Sequence, residues 1–416
     1  MQYNRPKEGA IVNCTARIAT VVSLTIGLPS LGHSDSVSVT NYGAVADSNG
    51  THGNGTDNYD AFYDAIYDAI ATQRDLFIPE GTYRVAQGLQ IWVISNNITI
   101  YGEGKDESVL FVDNDTSEHA LLLQGWEGGS KKYVQMQSHD FAIKRYNTGV
   151  LREGKALILL NTTNCVVRDM DISGSSGFSL VLNNAMDSEV CYNEVHDSVW
   201  QWGGDGIHIE GSSSNVIVHH NHVYNTGDDC IAAGTSGASA DRCRNIVMES
   251  NIVHNTKCNG FKVTENATDT YVRHNVVYGD NLGGITIQVH DGGVGDYANN
   301  IFIYGNIISN ACGTHEQGSY WGGITVLDWS GNDSYIQGFE IHDNTILSSD
   351  KYGIIIVGTP PDYVRDGAIF DNYISDYSYG AGPVVMMNTS NVVEYNNGII
   401  GPDNTSPTMP TGLKVE

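Results

Sequence analysis

Residues 203–234 read GGDGIHIEGSSSNVIVHHNHVYNTGDDCIAAG, and they decide how the rest of the chain is interpreted. One short phrase occurs twice, first as GDGI (204–207) and then as DDCI (228–231). Asp205 and Asp229 are 24 positions apart, the length of one short coil of a β-solenoid. If each phrase opens a strand and the strands stack about 4.8 Å apart, Asp205, Asp228 and Asp229 meet in one patch. Three neighbouring carboxylates repel each other, so this pattern indicates chemistry rather than stability.

A repeat becomes visible from about Lys155. Asn flanked by β-branched residues recurs at intervals of 24 to 38 residues, at Asn193, Asn221, Asn251, Asn275, Asn306, Asn344 and Asn372. Asn tolerates left-handed backbone geometry, and its amide can bond to like residues along a stack. The repeat therefore predicts an all-β chain folded as a right-handed parallel β-helix, with an Asn ladder at one turn.

A second column passes through the same coils and continues the opening phrase. It comprises GDGI (204–207), DDCI (228–231), CNGF (258–261), LGGI (282–285) and WGGI (321–324). The apolar fourth residue should face the core and the next residue should face outward, because side chains alternate along a strand. His208 and Lys262 are thus predicted to flank the acids. Asn259, Gln288, Trp202 and Trp321 complete the predicted substrate-binding set.

The N-terminal segment resembles a secretory leader. Basic residues precede an apolar run at 18–28, and small residues follow it, so residues 1–34 are predicted to be a signal and the protein to be extracellular. The apolar run is too short to span a membrane, so no membrane partner is expected. Residues 35–416 are predicted to form one β-helix domain, with a cap at 37–102 and regular coils at about 155–400.

The predicted cap combines a strand at 36–42, a short helix and a strand-turn-strand segment at 76–85. Phe62, Ile66 and Ile70 recur at helical spacing, and Thr56 or Asp57 can cap that helix. This order of elements resembles the N-terminal cap of the pectate-lyase-like β-helix superfamily. Physically, a helix across the open end of a solenoid covers its exposed apolar core. Residues 125–140 are interpreted as a loop or an interrupted coil.

Composition limits the class of partner. The formal charge of −27 and the pI near 4.6 exclude a nucleic-acid partner, because phosphate binding needs a basic surface. The same charge argues against a polyanionic substrate. With 40% apolar and 17% charged residues the chain can build a folded core. The oligomeric state is left open.

Seven cysteines occur, and Cys14 lies inside the predicted leader. The remaining six suit disulfides in an exported protein, and Cys230 and Cys258, on neighbouring coils, are the favoured pair. The sequence contains no CxxC-type spacing, so no structural zinc site is predicted. His219, His220 and His222 form a dense cluster, but alternation sends neighbouring side chains to opposite faces, so no metal site is predicted there.

The acid motif carries a second resemblance. A DG phrase followed one coil later by GDDCIA is similar to the polygalacturonase-type glycoside hydrolases, over roughly residues 200–290. The resemblance implies an inverting enzyme without a cofactor, in which Asp228 is the general acid. Asp205 and Asp229 would position the attacking water. Independently, glycosidic cleavage needs two carboxyl groups in different protonation states, which repulsion within this trio can supply.

Departures from that family bear on the substrate. Its Gly-His-Gly is replaced by Asn259-Gly260, and its uronate-gripping Arg-x-Lys is replaced by Thr286-Ile287-Gln288. In these departures the chain resembles β-helical enzymes that act on neutral sugars, such as α-1,3-glucanases, dextranases and α-galactosidases. A neutral poly- or oligosaccharide is therefore the predicted substrate.

Other interpretations stay open at this point. A polysaccharide lyase could use Lys262 and Arg273 as its cations, and a non-catalytic glycan-binding β-helix or an epimerase would share the fold. Asp residues in a β-helix are usually turn formers. His208 and Lys262 are as consistent with surface positions as with sugar contacts. The Trp side chains are as consistent with burial as with stacking on a sugar.

Overall fold

A computed structural model describes residues 35–94, 97–114, 116–148, 153–199, 203–235, 241–280, 282–289, 296–312, 320–329, 334–359, 363–377 and 382–398. The predicted leader and Trp202 lie outside the described residues. Within these ranges no helix has the length and apolar character that a membrane span requires.

The described elements up to the acid motif are β1 (Val37–Ser38), a 3-10 helix (Val39–Tyr42), α1 (Tyr59–Thr72), β2 (Leu76–Ile78), β3 (Gly81–Val85), β4 (Leu89–Val93), β5 (Asn97–Gly102), β6 (Ser108–Val112), β7 (Leu121–Glu127), β8 (Ser130–Lys131), β9 (Gln135–His139), β10 (Ala142–Arg145), β11 (Leu157–Thr163), β12 (Val166–Arg168), β13 (Asp171–Ser173), β14 (Leu180–Cys191) and β15 (Glu194–His196). The later elements are β16 (Ile207–Glu210), β17 (Ser214–His219), β18 (His222–Tyr224), β19 (Ile231–Ala233), β20 (Cys243–Glu249), β21 (Ile252–His254), β22 (Phe261–Val263), β23 (Ala267–Arg273), β24 (Val276–Tyr278), β25 (Ile285–Val289), β26 (Tyr297–Tyr304), β27 (Ile307–Ser309), β28 (Gly322–Asp328), β29 (Tyr335–His342), β30 (Thr345–Ile346), β31 (Tyr352–Val357), β32 (Val364–Phe370), β33 (Tyr373–Ile374), β34 (Val384–Met387) and β35 (Thr389–Tyr395).

The strands stack in parallel on three faces of a solenoid, which confirms the predicted β-helix. Face 1 contains β16, β19, β22, β25, β28, β31 and β34; face 2 contains β17, β20, β23, β26, β29, β32 and β35; face 3 contains β15, β18, β21, β24, β27, β30 and β33. The long strand β14 pairs with β16 on face 1 and with β17 on face 2. Each coil thus contributes one strand to each face.

The predicted register of the second column is confirmed. Ile207 pairs with Ile231, Ile231 with Phe261, and Phe261 with Ile285. All four side chains are fully buried in one continuous apolar core. Because coils stack without offset here, residues before these apolar positions also become neighbours between coils.

The Asn ladder is also confirmed, and it continues one step further than predicted, to Asn397. The side-chain amide of Asn221 donates to Asn251 Oδ1 at 3.0 Å, and Asn251 donates to Asn275 at 3.1 Å. The same bond links Asn372 to Asn397 at 2.9 Å. Each ladder oxygen also accepts the backbone N–H of the Asn one coil earlier, as at Asn193 and Asn221. The ladder satisfies buried backbone groups that a sharp turn would otherwise leave unpaired.

The reason given for Asn at this turn needs correction, because the left-handed residue is the one before each ladder Asn. Positive φ angles near 55° occur at Tyr192, His220, Ser250 and His274, and at Asp343 and Asp371 on later coils. The ladder position itself is therefore selected for its amide hydrogen bonds. Its neighbour accepts the strained backbone that the turn imposes.

Helix α1 covers the first coil as predicted, and Phe62, Ile66 and Ile70 are buried. Its start differs from the expectation: the helix begins at Tyr59, whose N–H donates to Asp57 Oδ1 at 3.1 Å. Thr56 is bonded to Asp47 instead. The N-cap is Asn58, so the prediction that Thr56 or Asp57 caps the helix is wrong; Asp57 lies one residue earlier and bonds the first helical N–H from there.

One segment was assigned wrongly from sequence. Only Val37 and Ser38 of the predicted strand at 36–42 are extended, and Val39–Tyr42 form a 3-10 helix closed by Gly43 at φ 90°. Of the two interpretations of residues 125–140, a loop or an interrupted coil, the structure shows the interrupted coil: the antiparallel hairpin β7–β8 is inserted before strand β9. Stacking therefore begins well before the predicted coils, since β3, β6 and β10 already pair on face 3.

The predicted disulfide between Cys230 and Cys258 is wrong. All six cysteines after the leader are free and buried. The register explains the error: Ile231 pairs with Phe261, so Cys230 lies opposite Gly260, and Cys258 lies opposite Asp228. The two thiols are offset by two residues, about 6.6 Å along the strand.

Candidate active site

The loop residues that enter face 1 bring the three predicted acids together. Asp205 and Asp229 occupy equivalent positions on adjacent coils, and the backbone N–H of Asp229 donates to Asp205 Oδ1 at 3.1 Å. The backbone of Asp228 is held by its own N–H, which donates to the Gly204 carbonyl at 3.2 Å, and by the Thr226 hydroxyl, which donates to its carbonyl at 2.9 Å. The acids are therefore fixed by the coil geometry.

This column extends to coils on both sides of the acids. Counting two residues before each paired apolar position gives Lys155, Phe178, Asp205, Asp229 and Asn259 on successive coils. The sequence analysis missed Lys155 and Phe178. The signal was available in the sequence, because Leu180 and Leu157 are apolar positions of the same column, one and two coils before Ile207 respectively.

Asp229 is embedded in hydrogen-bond donors. Asn259 donates to Asp229 Oδ1 twice, from its side-chain amide at 2.7 Å and from its backbone N–H at 3.0 Å. Thr286 in turn donates to Asn259 Oδ1 at 2.8 Å, which fixes the orientation of the amide. The Nζ atom of Lys262 lies 3.7 Å from Asp229 Oδ2. These contacts favour the ionised form of Asp229.

Asp205 is paired with His208. The Nδ1 atom of His208 lies 2.5 Å from Asp205 Oδ2, and the imidazole stacks flat on Phe178 with ring centroids 4.6 Å apart. The Nζ atom of Lys155 also lies over the Phe178 ring, 4.7 Å from its centroid. Burial lowers the pKa of His208, but Asp205 outweighs it, and the net shift is upward. The result is a fixed wall of an aromatic ring and cations beside Asp205.

Asp228 differs from its neighbours in its protonation. Burial, followed by the charges of Asp229 and Asp205, raises the pKa of Asp228 to about 8. The sequence analysis expected repulsion between the acids to be the cause, whereas desolvation is the larger effect. Asp228 is also the least buried of the three, since Asp205 and Asp229 are 3% and 2% exposed. A carboxyl group that is protonated at neutral pH and reachable from solvent can serve as a general acid.

Burial also raises the pKa of Asp229, while Lys262 and Asn259 oppose that shift. Asp228 and Asp229 interact strongly, so they titrate as a pair rather than as independent groups. The donors around Asp229 assign the charge of the pair to Asp229 and the proton to Asp228. This distribution gives one acid and one base within a single dipeptide.

The remaining predicted site residues take different positions. The His208 and Lys262 side chains are 13% and 18% exposed and border the acids. Gln288 is on face 1 as expected but is only 4% exposed. Trp321 is 4% exposed and packs edge-on against Trp329 with centroids 6.4 Å apart, so of its two alternatives burial is the one observed. Trp202 falls outside the described residues.

Asp280 is a further acid that the sequence analysis missed. It is 1% exposed, and no side chain of the described residues bonds to its two buried carboxylate oxygens. A Cβ atom on Gly260 would lie 2.6 Å from Asp280 Oδ2, so Gly at position 260 leaves room for this carboxyl. Burial raises the pKa of Asp280 far above its usual range, with a smaller contribution from Asp229. No sequence signal distinguishes this Asp from an ordinary turn residue.

Two groups within the described residues have the ligand types and proximity to hold a metal ion. One consists of Asp228, Asp229 and Cys258, and the other of Glu189, Cys191 and His219 on face 2. Each group has a cation nearby: Lys262 lies beside Asp229 in the first, and Arg168 lies opposite Cys191 on the preceding coil in the second. A shallow cavity of about 330 Å³ lies elsewhere on face 2, beside Phe302 and Glu340, and it contains none of the predicted site residues.

Comparison with known proteins agrees with this fold. A family model described as "Right handed beta helix region" matches residues 154–306. No curated protein sequence matches the chain. The family match agrees with the parallel strand stacking, and the chain is a right-handed parallel β-helix, as predicted.

Three solved structures with a similar fold carry the names of enzymes that act on glycans. A hyperthermoactive exopolygalacturonase from Thermotoga maritima is 14% identical with a TM-score of 0.66, over 88% of this chain and 92% of that chain. A mannuronan C-5 epimerase A-module from Azotobacter vinelandii is 16% identical with a TM-score of 0.58, over 86% and 99%. The catalytic unit of an α-1,3-glucanase from Streptomyces thermodiastaticus is 16% identical with a TM-score of 0.54, over 88% and 70%. At these identities the similarity establishes the fold alone.

Proposed function

We propose that this protein is an inverting glycoside hydrolase that cleaves a neutral poly- or oligosaccharide. The observation that carries the proposal is the unequal surroundings of two adjacent carboxyl groups: Asp229 is held by Asn259 and Lys262, and Asp228 has no such donors among the described hydrogen bonds and ion pairs. Burial raises the pKa of Asp228 to about 8, whereas Lys262 and Asn259 stabilise charge on Asp229. Glycoside hydrolysis needs this combination of acid and base.

The proposed reaction uses each acid in one role. Asp228 donates its proton to the glycosidic oxygen as the bond to the anomeric carbon breaks, and the leaving sugar departs as an alcohol. Asp229 and Asp205 orient a water molecule on the opposite side of the sugar and accept its proton as its oxygen bonds to the anomeric carbon. The product then has the inverted anomeric configuration, and no cofactor enters the reaction.

The described surroundings of the acids favour a neutral sugar. Thr286 and Gln288 are uncharged and buried where a uronate clamp would be expected from the resemblance, and Thr286 is bonded to Asn259. The cations that border the acids are engaged by carboxylates: Lys262 by Asp229 and His208 by Asp205. A uronate in this site would meet the negative charge of the acids without a free cation on these side chains.

A lyase is less well supported by the positions of its two candidate cations. Lys262 lies on face 1 beside Asp229, whereas Arg273 lies on face 2, where its Nε donates to Glu249 at 2.6 Å. The two side chains belong to different faces of the coil. They therefore do not form a joint site for proton abstraction next to a uronate.

A glycan panel tests the proposal. The purified chain is incubated with neutral and uronic-acid polymers, beside Asp228→Asn and the control Asp187→Asn. The control changes an exposed residue of β14 that accepts a hydrogen bond from Asn215. We expect reducing ends from a neutral glycan, with a rate lowered about 100-fold to 10,000-fold in Asp228→Asn only. Proton NMR of the first product should show inversion at the anomeric carbon. Equal sugar release by all three proteins would refute the proposal, as would an unsaturated product detected by its ultraviolet absorbance.

We also propose that the protein is exported, on the sequence pattern of residues 1–34. Expression of the full chain and of a chain beginning at residue 35 in the same host tests this. Export should be seen only for the full chain, with the leader absent from the mature N-terminus. Export of both chains, or of neither, contradicts the assignment.

A further inference from the structure

On face 2, three side chains of different chemistry converge at the end of two adjacent strands. Cys191 pairs directly with His219 across β14 and β17, and Glu189 precedes Cys191 by two residues on the same strand face. The Cys Sγ atom, one imidazole nitrogen and one carboxylate oxygen all lie within 4.8 Å of one another. This cluster belongs to a different face of the coil from the three acids of face 1.

Cys191 differs from the other described cysteines in its environment. Cys165, Cys230, Cys243, Cys258 and Cys312 belong to the apolar core, whereas Cys191 does not, although only 3% of it is exposed. Alternation along β14 directs Val190 into the core and Cys191 to the outer surface of the strand. The thiol therefore lies among polar side chains rather than in the core: His219 pairs with Cys191 from the next coil, and Arg168, bonded to Asp169, pairs with it from the preceding coil.

We propose that Glu189, Cys191 and His219 form a binding site for a divalent transition-metal ion of the zinc class. A thiolate, an imidazole and a carboxylate are the ligand types that zinc and cobalt accept together, and three protein ligands leave a fourth tetrahedral position for water. The Glu189 and His219 side chains are 31% and 16% exposed, so an ion can enter from solvent.

The neighbouring His220 holds the imidazole of His219 in the orientation that metal binding through Nε2 needs. The Nε2 atom of His219 lies 2.7 Å from Glu189 Oε1, and its Nδ1 atom lies 2.7 Å from Nδ1 of His220. When an ion takes the lone pair of Nε2, the proton of His219 sits on Nδ1 and is donated to His220. Metal-bound histidines usually donate their second N–H to such an acceptor, which fixes the tautomer.

Ion binding requires the thiol of Cys191 to lose its proton to solvent. Burial and the nearby charge of Glu189 raise the pKa of this thiol in the metal-free protein. A divalent ion reverses this preference, because coordination deprotonates a thiol outright. The two charges of the ion are then balanced by the thiolate and by the carboxylate of Glu189. The ion would link two successive coils, β14 and β17, across one step of the stack.

Later coils offer a matched control at the same register. Along face 2 the position of His219 is followed by Glu249, Arg273, Tyr304 and His342. His342 stacks on Phe370 with centroids 4.8 Å apart, so it is a face 2 histidine in an aromatic setting. A His342→Gln change removes an equivalent imidazole without touching the proposed ligands.

Cobalt(II) titration of the full, reduced and metal-stripped chain tests the proposal. We expect one equivalent to produce the thiolate-to-cobalt absorbance and the visible bands of a tetrahedral ion, and zinc to displace both. Cys191→Ala should lose the thiolate band, and His219→Gln should weaken binding at least about 10-fold, in line with the loss of a metal ligand's support. Cys258→Ala and His342→Gln should retain the spectrum.

The outcomes are distinct. No thiolate band at equimolar cobalt overturns the proposal, as does a band that survives in Cys191→Ala or disappears in Cys258→Ala. Thermal unfolding provides a second measurement: zinc should raise the melting temperature of the wild type and of His342→Gln, but not of Cys191→Ala. Circular dichroism of each metal-free variant checks that the β-helix is intact. Neither readout depends on glycan cleavage.

Discussion

The Nζ atom of Lys262 lies 3.7 Å from Oδ2 of Asp229, across one step between coils. Its ammonium is the strongest of the influences that lower the pKa of Asp229, and Asn259 adds two hydrogen bonds to Asp229. Two adjacent acids of identical chemistry are thereby made unequal by residues from the next coil. The proposed division of roles between acid and base depends on this asymmetry.

The first prediction concerns the pH profile of glycan cleavage. Asp228 must carry a proton to act as the acid, and burial with the charges of Asp229 and Asp205 raises its pKa to about 8. Activity should therefore persist at neutral pH and fall as pH rises through about 8. Initial rates between pH 4 and 10 on the best glycan of the panel measure this. An alkaline limb near the usual pKa of a carboxyl group would show that Asp228 is not the acid.

Lys262→Met is expected to move the whole profile to higher pH. The ammonium lowers the pKa of both Asp228 and Asp229, so its removal raises both. The acid limb, set by ionisation of Asp229, and the alkaline limb should each shift upward by about 1 to 3 units. Lys257→Met, which removes an exposed lysine five residues earlier on the same coil, is the control. Identical profiles for both variants would contradict the assigned pairing.

The buried Asp280 should make stability depend on pH in the opposite sense to an ordinary acid. Its pKa is raised by burial, so the folded state holds a proton that the unfolded state releases above about pH 4. The free energy of unfolding should therefore fall as pH rises above that value, because the unfolded state then binds fewer protons than the folded state.

Asp280→Asn removes this titration and tests the sign. The wild type should lose stability relative to the variant as pH rises from 4 to 8, and the difference should flatten below about pH 4. Denaturant unfolding at each pH measures it, with Asp187→Asn as the control for an exposed carboxyl group. A constant difference between wild type and Asp280→Asn would mean that Asp280 is ionised in the folded protein.

The Asn ladder should contribute to stability because its side chains form hydrogen bonds with buried backbone N–H and carbonyl groups. Asn251→Ala removes the acceptor of the Asn221 backbone N–H and the donor to the Val218 carbonyl, both buried. Two unsatisfied groups predict a loss of about 2 to 5 kcal/mol in the free energy of unfolding. Asn300→Gly changes an exposed Asn with φ 56° and should cost far less. Equal losses in urea-induced unfolding would assign the ladder a minor role.

Several features of this protein could be predicted because they are periodic. The ladder Asn residues, the apolar fourth position of each phrase and the alternation around it specify the β-helix and its register without reference to any contact. The same register brought Asp205 and Asp229 onto adjacent coils and placed Lys262 and Asn259 beside them. Phe178 and Lys155 obey that periodicity too and could have been found by following the column towards the N-terminus.

Only the tertiary structure decided the distances between side chains on neighbouring coils and how deeply each side chain is buried, because a periodic sequence pattern specifies neither. The two-residue offset of Cys230 and Cys258 prevents the predicted disulfide, and the residue before each ladder Asn takes the left-handed backbone. The buried carboxyl of Asp280 and the meeting of Cys191 with His219 likewise arise from the stack. Sequence determined which residues recur, because repetition is local; folding decided which of them lose water, because desolvation depends on every neighbouring coil at once.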